Sequence, residues 1–269
     1  MRVVLSGALA RVRDSALTDL VLPRECGGCL RPGSLWCARC RRVLADLAFG
    51  AAASRDARGH PTRTPVVSTG ACVHGGGPWV VPHPVPDGMP PVHAWGVYAD
   101  PLRAAVSAWK DAGRRDLEAV LVPLLATSLD AALAGAGWDG GAVLVVPAPS
   151  SRRAVRERGD TPMTGLCEAA VAQLADRPGP ALRVAPALRH VRRVEDQSGL
   201  GTVERRGNLA GALSVIPLWR SVIRGRRCLL VDDVVTTGAT FAEAARALRA
   251  AGAGSVMGAS LAATQRTRR

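Results

Sequence analysis

Two adjacent aspartates, Asp232 and Asp233, stand between an apolar run and a stretch of threonine and glycine. The run is Cys228-Leu229-Leu230-Val231, and after the acids come Val234, Val235, Thr236, Thr237, Gly238, Ala239 and Thr240. Ionised carboxylates only accept hydrogen bonds, which suits them to the hydroxyls of a sugar. A threonine/glycine turn leading into a helix presents amides and hydroxyls to a phosphate. Acids and turn in register therefore suit a phosphorylated sugar. The competing reading is an ordinary strand-to-helix turn, with the acids solvated at a strand end and Thr240 as helix N-cap. The run lacks the Gly-Lys-Ser/Thr ending of a P-loop and the GxGxxG spacing of a dinucleotide fold.

A second group with metal chemistry is Cys26-Gly-Gly-Cys29 followed by Cys37-Ala-Arg-Cys40. Two CxxC knuckles this close can turn four thiolates toward one point, the donor set of a structural zinc site with no open position. Gly27, Gly28, Pro32 and Gly33 supply turns. A redox-active CxxC is the alternative, but that motif needs only one pair. Cys167 and Cys228 sit in apolar contexts and read as small core residues. Cys72 beside His74 is a thin signal for a second metal site.

The elements that must position these groups follow from patterning. An unbroken apolar run before the acids predicts a buried parallel strand, with a helix beginning near Phe241. Residues 141–150 (GAVLVVPAPS) read as a strand followed by a loop, and 162–177 as a helix with Pro162 in its first turn. Residues 101–137 read as two helices broken near Gly113, 181–192 as one short strand, and 255–264 as a last strand. Alternating strand and helix implies an α/β fold with a parallel sheet flanked by helices. Ligands of such sheets lie beyond the strand C-termini. The loop Ala148-Pro149-Ser150-Ser151-Arg152-Arg153 is thus a candidate to receive a diphosphate through amides, hydroxyls and guanidiniums, or else a plain surface turn.

Three domains are expected: a helix plus CxxC module over 1–45, a Pro/Gly-rich mobile linker or insertion over 46–94, and the α/β domain over 95–269. Residues 1–23 read as an amphipathic helix leading into the cysteines. Arg11, Arg13 and Asp14 interrupt the apolar stretch that a signal peptide needs. No run approaches eighteen uninterrupted apolar residues, so no membrane span is expected, and a cytoplasmic location follows. The chain of 269 residues carries a formal charge of +13, with Lys110 its single lysine. That excess favours polyanions, either nucleic acid or phosphorylated metabolites. Six Trp, two Phe and one Tyr are too few for a base-stacking single-strand platform.

The run 228–240 resembles the phosphoribosyl-diphosphate (PRPP) signature of type I phosphoribosyltransferases. The CxxC pairs, the Tyr98-to-Lys110 segment, the Val146-Pro147-Ala148-Pro149 run, Arg156-Glu157-Arg158-Gly159 and Gln197 with Arg205, Arg206 and Asn208 extend the likeness. In that order these blocks are similar to the ComF family, which joins a zinc module to this fold. The resemblance implies transfer of ribosyl 5-phosphate from PRPP to a nitrogen nucleophile with release of diphosphate, in the presence of Mg²⁺. It assigns Asp232 and Asp233 to the ribose hydroxyls and Val235, Thr236, Thr237, Gly238, Ala239 and Thr240 to the 5-phosphate. Ala148, Pro149, Ser150 and Lys110 fall to the diphosphate, and Cys26, Cys29, Cys37 and Cys40 to zinc. Residues 192–208 resemble a loop that closes over the site. Nucleotide salvage and DNA uptake are the implied settings, with DNA or its uptake machinery as partners; homo-oligomerisation stays open. Asp160-Thr161-Pro162 departs from the family's Phe-Asn-Gln, and a second set of knuckles is missing. A different class of function, a non-catalytic PRPP or nucleotide sensor or a nucleic-acid-handling adaptor, would use the same phosphate loop.

Overall fold

The computed structural model describes residues 24–49, 79–80, 85–150, 161–191 and 211–265. The expected N-terminal helix over 1–23, most of the 46–94 linker, Cys72 and His74, the 151–160 loop and the 192–208 segment lie outside the described residues. Contacts divide the chain into two units, Met1–Asp46 with Ala99–Leu117, and Leu47–Tyr98 with Glu118–Arg269. Residues 99–117 thus group with the cysteine segment, whereas composition had joined them to the α/β domain.

In the first unit, helices α1 (Ala38–Asp46) and α2 (Leu102–Asp111) are followed by a 3-10 turn, Arg115–Leu117. The break between α2 and that turn falls at Gly113, whose φ of +69° suits glycine. Trp109 and Leu117 are fully buried, and the Arg115 guanidinium lies 5.5 Å from the centre of the Trp109 ring. Arg114 donates to the Glu25 carbonyl at 3.0 Å and pairs with Asp116 at 2.7 Å, so one guanidinium ties the knuckle to the turn.

The second unit holds strands β1 (Trp79–Val80), β2 (Val92–Val97), β3 (Ala142–Pro147), β4 (Ala181–Val184), β5 (Leu188–His190), β6 (Leu213–Val215), β7 (Arg227–Val235) and β8 (Ser255–Ala263). Its helices are α3 (Glu118–Gly135), α4 (Pro162–Gln173), the short α5 (Arg220–Ile223) and α6 (Ala239–Ala250). The main sheet has the order β1-β2-β8-β7-β3-β4. Only the β1–β2 pair is antiparallel, so β2, β8, β7, β3 and β4 form five parallel strands. β5 and β6 form a separate antiparallel hairpin.

β7 lies inside the sheet with β8 and β3 as neighbours, and its consecutive residues Leu229, Leu230 and Val231 are fully buried, so both its faces are covered. This is why its sequence is continuously apolar. α3 buries Leu121, Leu125, Leu129 and Leu133, one residue per turn and slightly more, against the sheet and α4. Residues 115–135 form the one described helix long and apolar enough to cross a membrane, with a mean hydropathy of 1.7. The leucine face packed inside the unit accounts for that composition. Phe241 of α6 sits so near β8 that a Cβ on Gly258 would lie 2.8 Å from its ring. Glycine is required there.

Three elements differ from their sequence reading. Residues 181–190, expected within one strand, form two strands in two sheets, because Ala185-Pro186-Ala187 interrupts the ladder. Val92–Val97 is a central strand that starts inside the proline-rich stretch, and Leu213–Val215 is too short to give a period.

Candidate functional site

The strand carrying the acids runs further than expected. β7 continues in unbroken register with β8 through Asp232↔Ser260 to Val235↔Ala263. The acids therefore lie within a paired strand, not where it leaves the core. Neighbouring positions of a pleated strand project to opposite faces. Asp233 is buried, with 6% exposure, and Asp232 is half-buried. The Asp233 amide donates to Asp232 Oδ1 at 2.9 Å, which orients that carboxylate along the strand.

Beyond Val235 the chain turns through Thr236, Thr237 and Gly238 into α6. Thr264 holds the far side of the turn, donating its amide to the Val235 carbonyl at 2.9 Å and its hydroxyl to the Thr236 carbonyl at 3.5 Å. Gly238 is the N-cap, with φ +75° and ψ 0°, a left-handed conformation natural to glycine. It has no side chain to cap the helix. The first hydrogen bond of the helix runs from the Ala242 amide to the Gly238 carbonyl. The amides of Ala239, Thr240 and Phe241 thus have no partner within the helix. Thr237 Oγ1 reaches the Ala239 amide only at 3.4 Å. Thr240 lies inside the first turn and is not the N-cap, which removes the capping role from the ordinary-turn reading. Amides at the positive end of a helix, with three threonine hydroxyls beside them, can receive an anion.

The loop after β3 offers less than its sequence promised. The Ala148 amide donates to the Val231 carbonyl at 2.7 Å, extending the ladder, and Pro149 has no amide. The Pro149 carbonyl accepts from His190 Nε2 at 3.1 Å. Of Ala148, Pro149 and Ser150, only Ser150 keeps a hydroxyl and an amide for a ligand. Lys110 lies in the last turn of α2, in the other unit.

In the first unit the four sulfurs of Cys26, Cys29, Cys37 and Cys40 all lie within 4.8 Å of one another. A tetrahedral zinc with bonds of about 2.3 Å needs sulfurs about 3.8 Å apart, so the donor set fits that ion. The first knuckle is closed by Leu30, whose amide donates to the Cys26 carbonyl at 2.8 Å. The second knuckle is the N-terminus of α1. The Cys37 amide approaches Cys26 Sγ at 3.4 Å, and the Cys40 amide approaches Cys37 Sγ at 3.4 Å. Burial opposes ionisation of Cys26, but amides of Cys37, Gly28 and Cys29 outweigh it and bring its pKa down to about 6. Cys40 is pushed the other way, by burial and then by its sulfur neighbours. The cluster favours thiolate at some positions and resists crowding of negative charge at others, the condition a cation relieves. A Cβ on Gly27 would sit 2.3 Å from Leu117, and one on Gly28 would sit 2.5 Å from Pro101. Both knuckle glycines are fixed by close approach.

Cys167 and Cys228 are fully buried. Burial pushes the Cys228 thiol up to about 12; it raises Cys167 too, with the charges of Asp232 and Glu168 adding to it. Both are inert core residues.

Two features lie beyond the sequence reading in whole or in part. Glu243, 5% exposed, accepts from the Leu213 amide at 2.9 Å, while Arg246 donates to the Leu213 carbonyl at 3.0 Å and pairs with Glu243 at 2.7 Å. The i,i+3 pair is legible in sequence; its backbone target on β6 is not. The other feature is a cavity of about 540 Å³ between the end of β3, the start of α4 and the β5–β6 hairpin.

The model of the phosphoribosyl transferase domain family matches residues 181–269. That span contains β7, the acid pair, the threonine turn and α6. Comparison with curated proteins gives no match. The sheet thus has the architecture of a phosphoribosyltransferase domain, and β2 and β3 extend it beyond the matched span, while a four-cysteine cluster able to hold zinc lies near the N-terminus.

Proposed function

We propose that this chain is a phosphoribosyltransferase that moves the ribosyl 5-phosphate group of PRPP onto a nitrogen nucleophile. The observation that carries the reading is the uncapped start of α6, opened by left-handed Gly238 directly after the acid-bearing strand, within the span that matches the family.

The 5-phosphate is held by the amides of Ala239, Thr240 and Phe241 and the hydroxyls of Thr236, Thr237 and Thr240. Asp232 and Asp233 accept hydrogen bonds from the ribose 2- and 3-hydroxyls. Ser150 is the described candidate for the diphosphate within this unit. The bond between the anomeric carbon and the diphosphate oxygen breaks with its electron pair leaving on diphosphate. The nitrogen lone pair forms the new C–N bond, and the proton on nitrogen leaves to solvent. Positive charge develops on the ribose in the transition state, and two nearby carboxylates stabilise it. Mg²⁺, bound by substrate oxygens with water completing its shell, would supply charge neutralisation on the diphosphate. Zinc at Cys26, Cys29, Cys37 and Cys40 would be structural, since four protein ligands leave no open position.

The order of blocks along the chain supports a ComF-like protein of the cytoplasm, tied to nucleotide salvage or DNA uptake. Calorimetric titration with PRPP and Mg²⁺, followed by diphosphate release against a panel of bases, tests the reading. Binding with turnover is expected. Binding without turnover on any base would assign the fold to a sensor or nucleic-acid-handling adaptor, and failure to bind PRPP would overturn both.

A further inference from the structure

The four cysteines of the cluster are not equally placed. Cys26 and Cys40 are 0% and 4% exposed, whereas Cys29 is exposed and Cys37 half-buried. Cys40 Sγ packs under Gly28, where an added Cβ would lie 3.0 Å from it, and the Cys37 amide approaches Cys26 Sγ at 3.4 Å. Each knuckle thus contributes one enclosed cysteine and one open to solvent.

The two accessible cysteines belong to different knuckles, and their sulfurs lie 3.6 Å apart. A disulfide needs a separation of about 2.05 Å. Cys29 sits in a turn at the surface, and its neighbour Leu30 is 66% exposed, so little packing opposes that approach. All four sulfurs are close enough to react, so proximity does not choose the pair. Access does. Metal-bound sulfurs are thiolates, the nucleophilic form of cysteine, and oxidants act where thiolate character and exposure coincide.

We propose that Cys29 and Cys37 form a site of reversible oxidation, at which hydrogen peroxide joins the two knuckles by a disulfide. The proposal is independent of the phosphoribosyl-transfer reading and needs only the four-sulfur site. The Cys29 thiolate attacks the peroxide; an S–O bond forms, the O–O bond breaks, and the departing hydroxide takes up a proton to become water. The Cys37 thiolate then attacks the oxidised sulfur. The S–S bond forms, the S–O bond breaks, and a second hydroxide leaves as water with a second proton. Two thiolates lose two electrons in all, and one peroxide gains them. Only Cys26 and Cys40 are then left to hold an ion, half the donors of a closed site. Metal release and loosening of residues 24–46 follow. A redox-active CxxC works within one pair, whereas this site works between two, because a disulfide inside either knuckle must use an enclosed sulfur.

The test uses full-length, zinc-loaded protein, hydrogen peroxide, and a chromogenic chelator that reads released metal. Peroxide should release zinc, and mass-spectrometric mapping should find Cys29 joined to Cys37, with Cys26 and Cys40 still open to alkylation. Dithiothreitol with added zinc should restore the starting mass and metal content. Cys29→His removes the exposed sulfur but keeps four donors, since three thiolates and an imidazole also make a structural zinc set. Its zinc release should be at least about tenfold slower, because the attacking thiolate is gone. Zinc retained by the wild type at peroxide levels that oxidise free cysteine in the same buffer overturns the proposal. So does a disulfide within either knuckle, or oxidation to sulfinic acid without a disulfide. Release from Cys29→His at the wild-type rate overturns it too; if that variant takes up no zinc, the pairing mapped in the wild type decides alone. A chain that binds no zinc overturns the structural-zinc reading together with the proposal.

Discussion

The sulfur cluster and the threonine turn hold their groups by different means. Cys26, Cys29, Cys37 and Cys40 come from one short window of sequence, and their neighbours are a knuckle, a turn and the first residues of α1. Cys29 is exposed and Cys37 half-buried, while Cys26 and Cys40 are buried, so apolar packing holds only one sulfur of each pair. The turn at 236–238 is as short, but it hangs from β7, which two parallel strands flank and whose Leu229, Leu230 and Val231 are fully buried. A site of the first kind depends on its ligand for order; one of the second kind exists before its ligand arrives. Preorganisation would thus come from metal in one region and from a hydrophobic core in the other.

The sharpest way to break this contrast is to remove the metal. Cys26→Ser should take zinc from about one per chain to almost none, and binding free energies of structural zinc reach about 10–16 kcal/mol in small peptides. Elemental analysis and hydrogen exchange should show residues 24–46 losing protection while β7 and α6 keep theirs. Loss of protection in β7 as well would end the distinction.

Asp232→Asn with Asp233→Asn should come next in size. Each change removes a charge-assisted hydrogen bond worth about 1.5–3 kcal/mol, so PRPP affinity should fall at least about tenfold, since about 1.4 kcal/mol is one decade. The burial of Asp233 refines the stability arm. The half-buried Asp232 should leave the melting temperature unchanged when replaced alone, whereas Asp233 should lower it. Calorimetry and thermal melts separate the two, and full PRPP affinity in the double variant sinks the assignment.

Gly238→Ala tests the core-held turn directly. A left-handed φ of +75° penalises any Cβ by about 1–2 kcal/mol, and PRPP affinity should fall several-fold in step. An unchanged affinity would mean that the turn reshapes freely and is not preformed.

The smallest effect concerns pH. Burial raises the Glu243 pKa, but the Arg246 guanidinium and the amides of Leu213 and Gly211 outweigh it and hold the carboxyl below the ordinary glutamate value. A carboxyl depressed in the folded state adds stability above its unfolded pKa and loses it as pH falls through the folded one. The second unit should therefore weaken below about pH 4.5, near the ordinary glutamate pKa. Glu243→Gln should remove that increment, about 1 kcal/mol once the exposure of Arg246 is allowed for. Urea melts from pH 3 to 7 check it.

Much of this was legible beforehand, for physical reasons that differ by element. The cysteines were readable because metal ligation is a matter of local spacing, and β3, β8 and α4 because their apolar runs are long enough to show a pattern. The turn was readable in kind but not in detail: Thr240 suits an N-cap, yet Gly238 takes that position because only there does the chain turn left-handed. The acids were misplaced by position along β7, since nothing in Leu-Leu-Val-Asp-Asp-Val-Val says that β8 goes on pairing to Val235. The availability of the Ala148 amide was hidden for the same reason. Its partner, the Val231 carbonyl, lies in another strand.

Glu243 and Arg246 grip both polar atoms of Leu213, and the Val191 amide bonds the Ala212 carbonyl. Those contacts read backbone and not side chain. Because the grip is on main-chain atoms, exchanging the Leu213 side chain for valine or isoleucine should leave both hydrogen bonds in place, whereas proline there, which has no amide, should lose the one to Glu243.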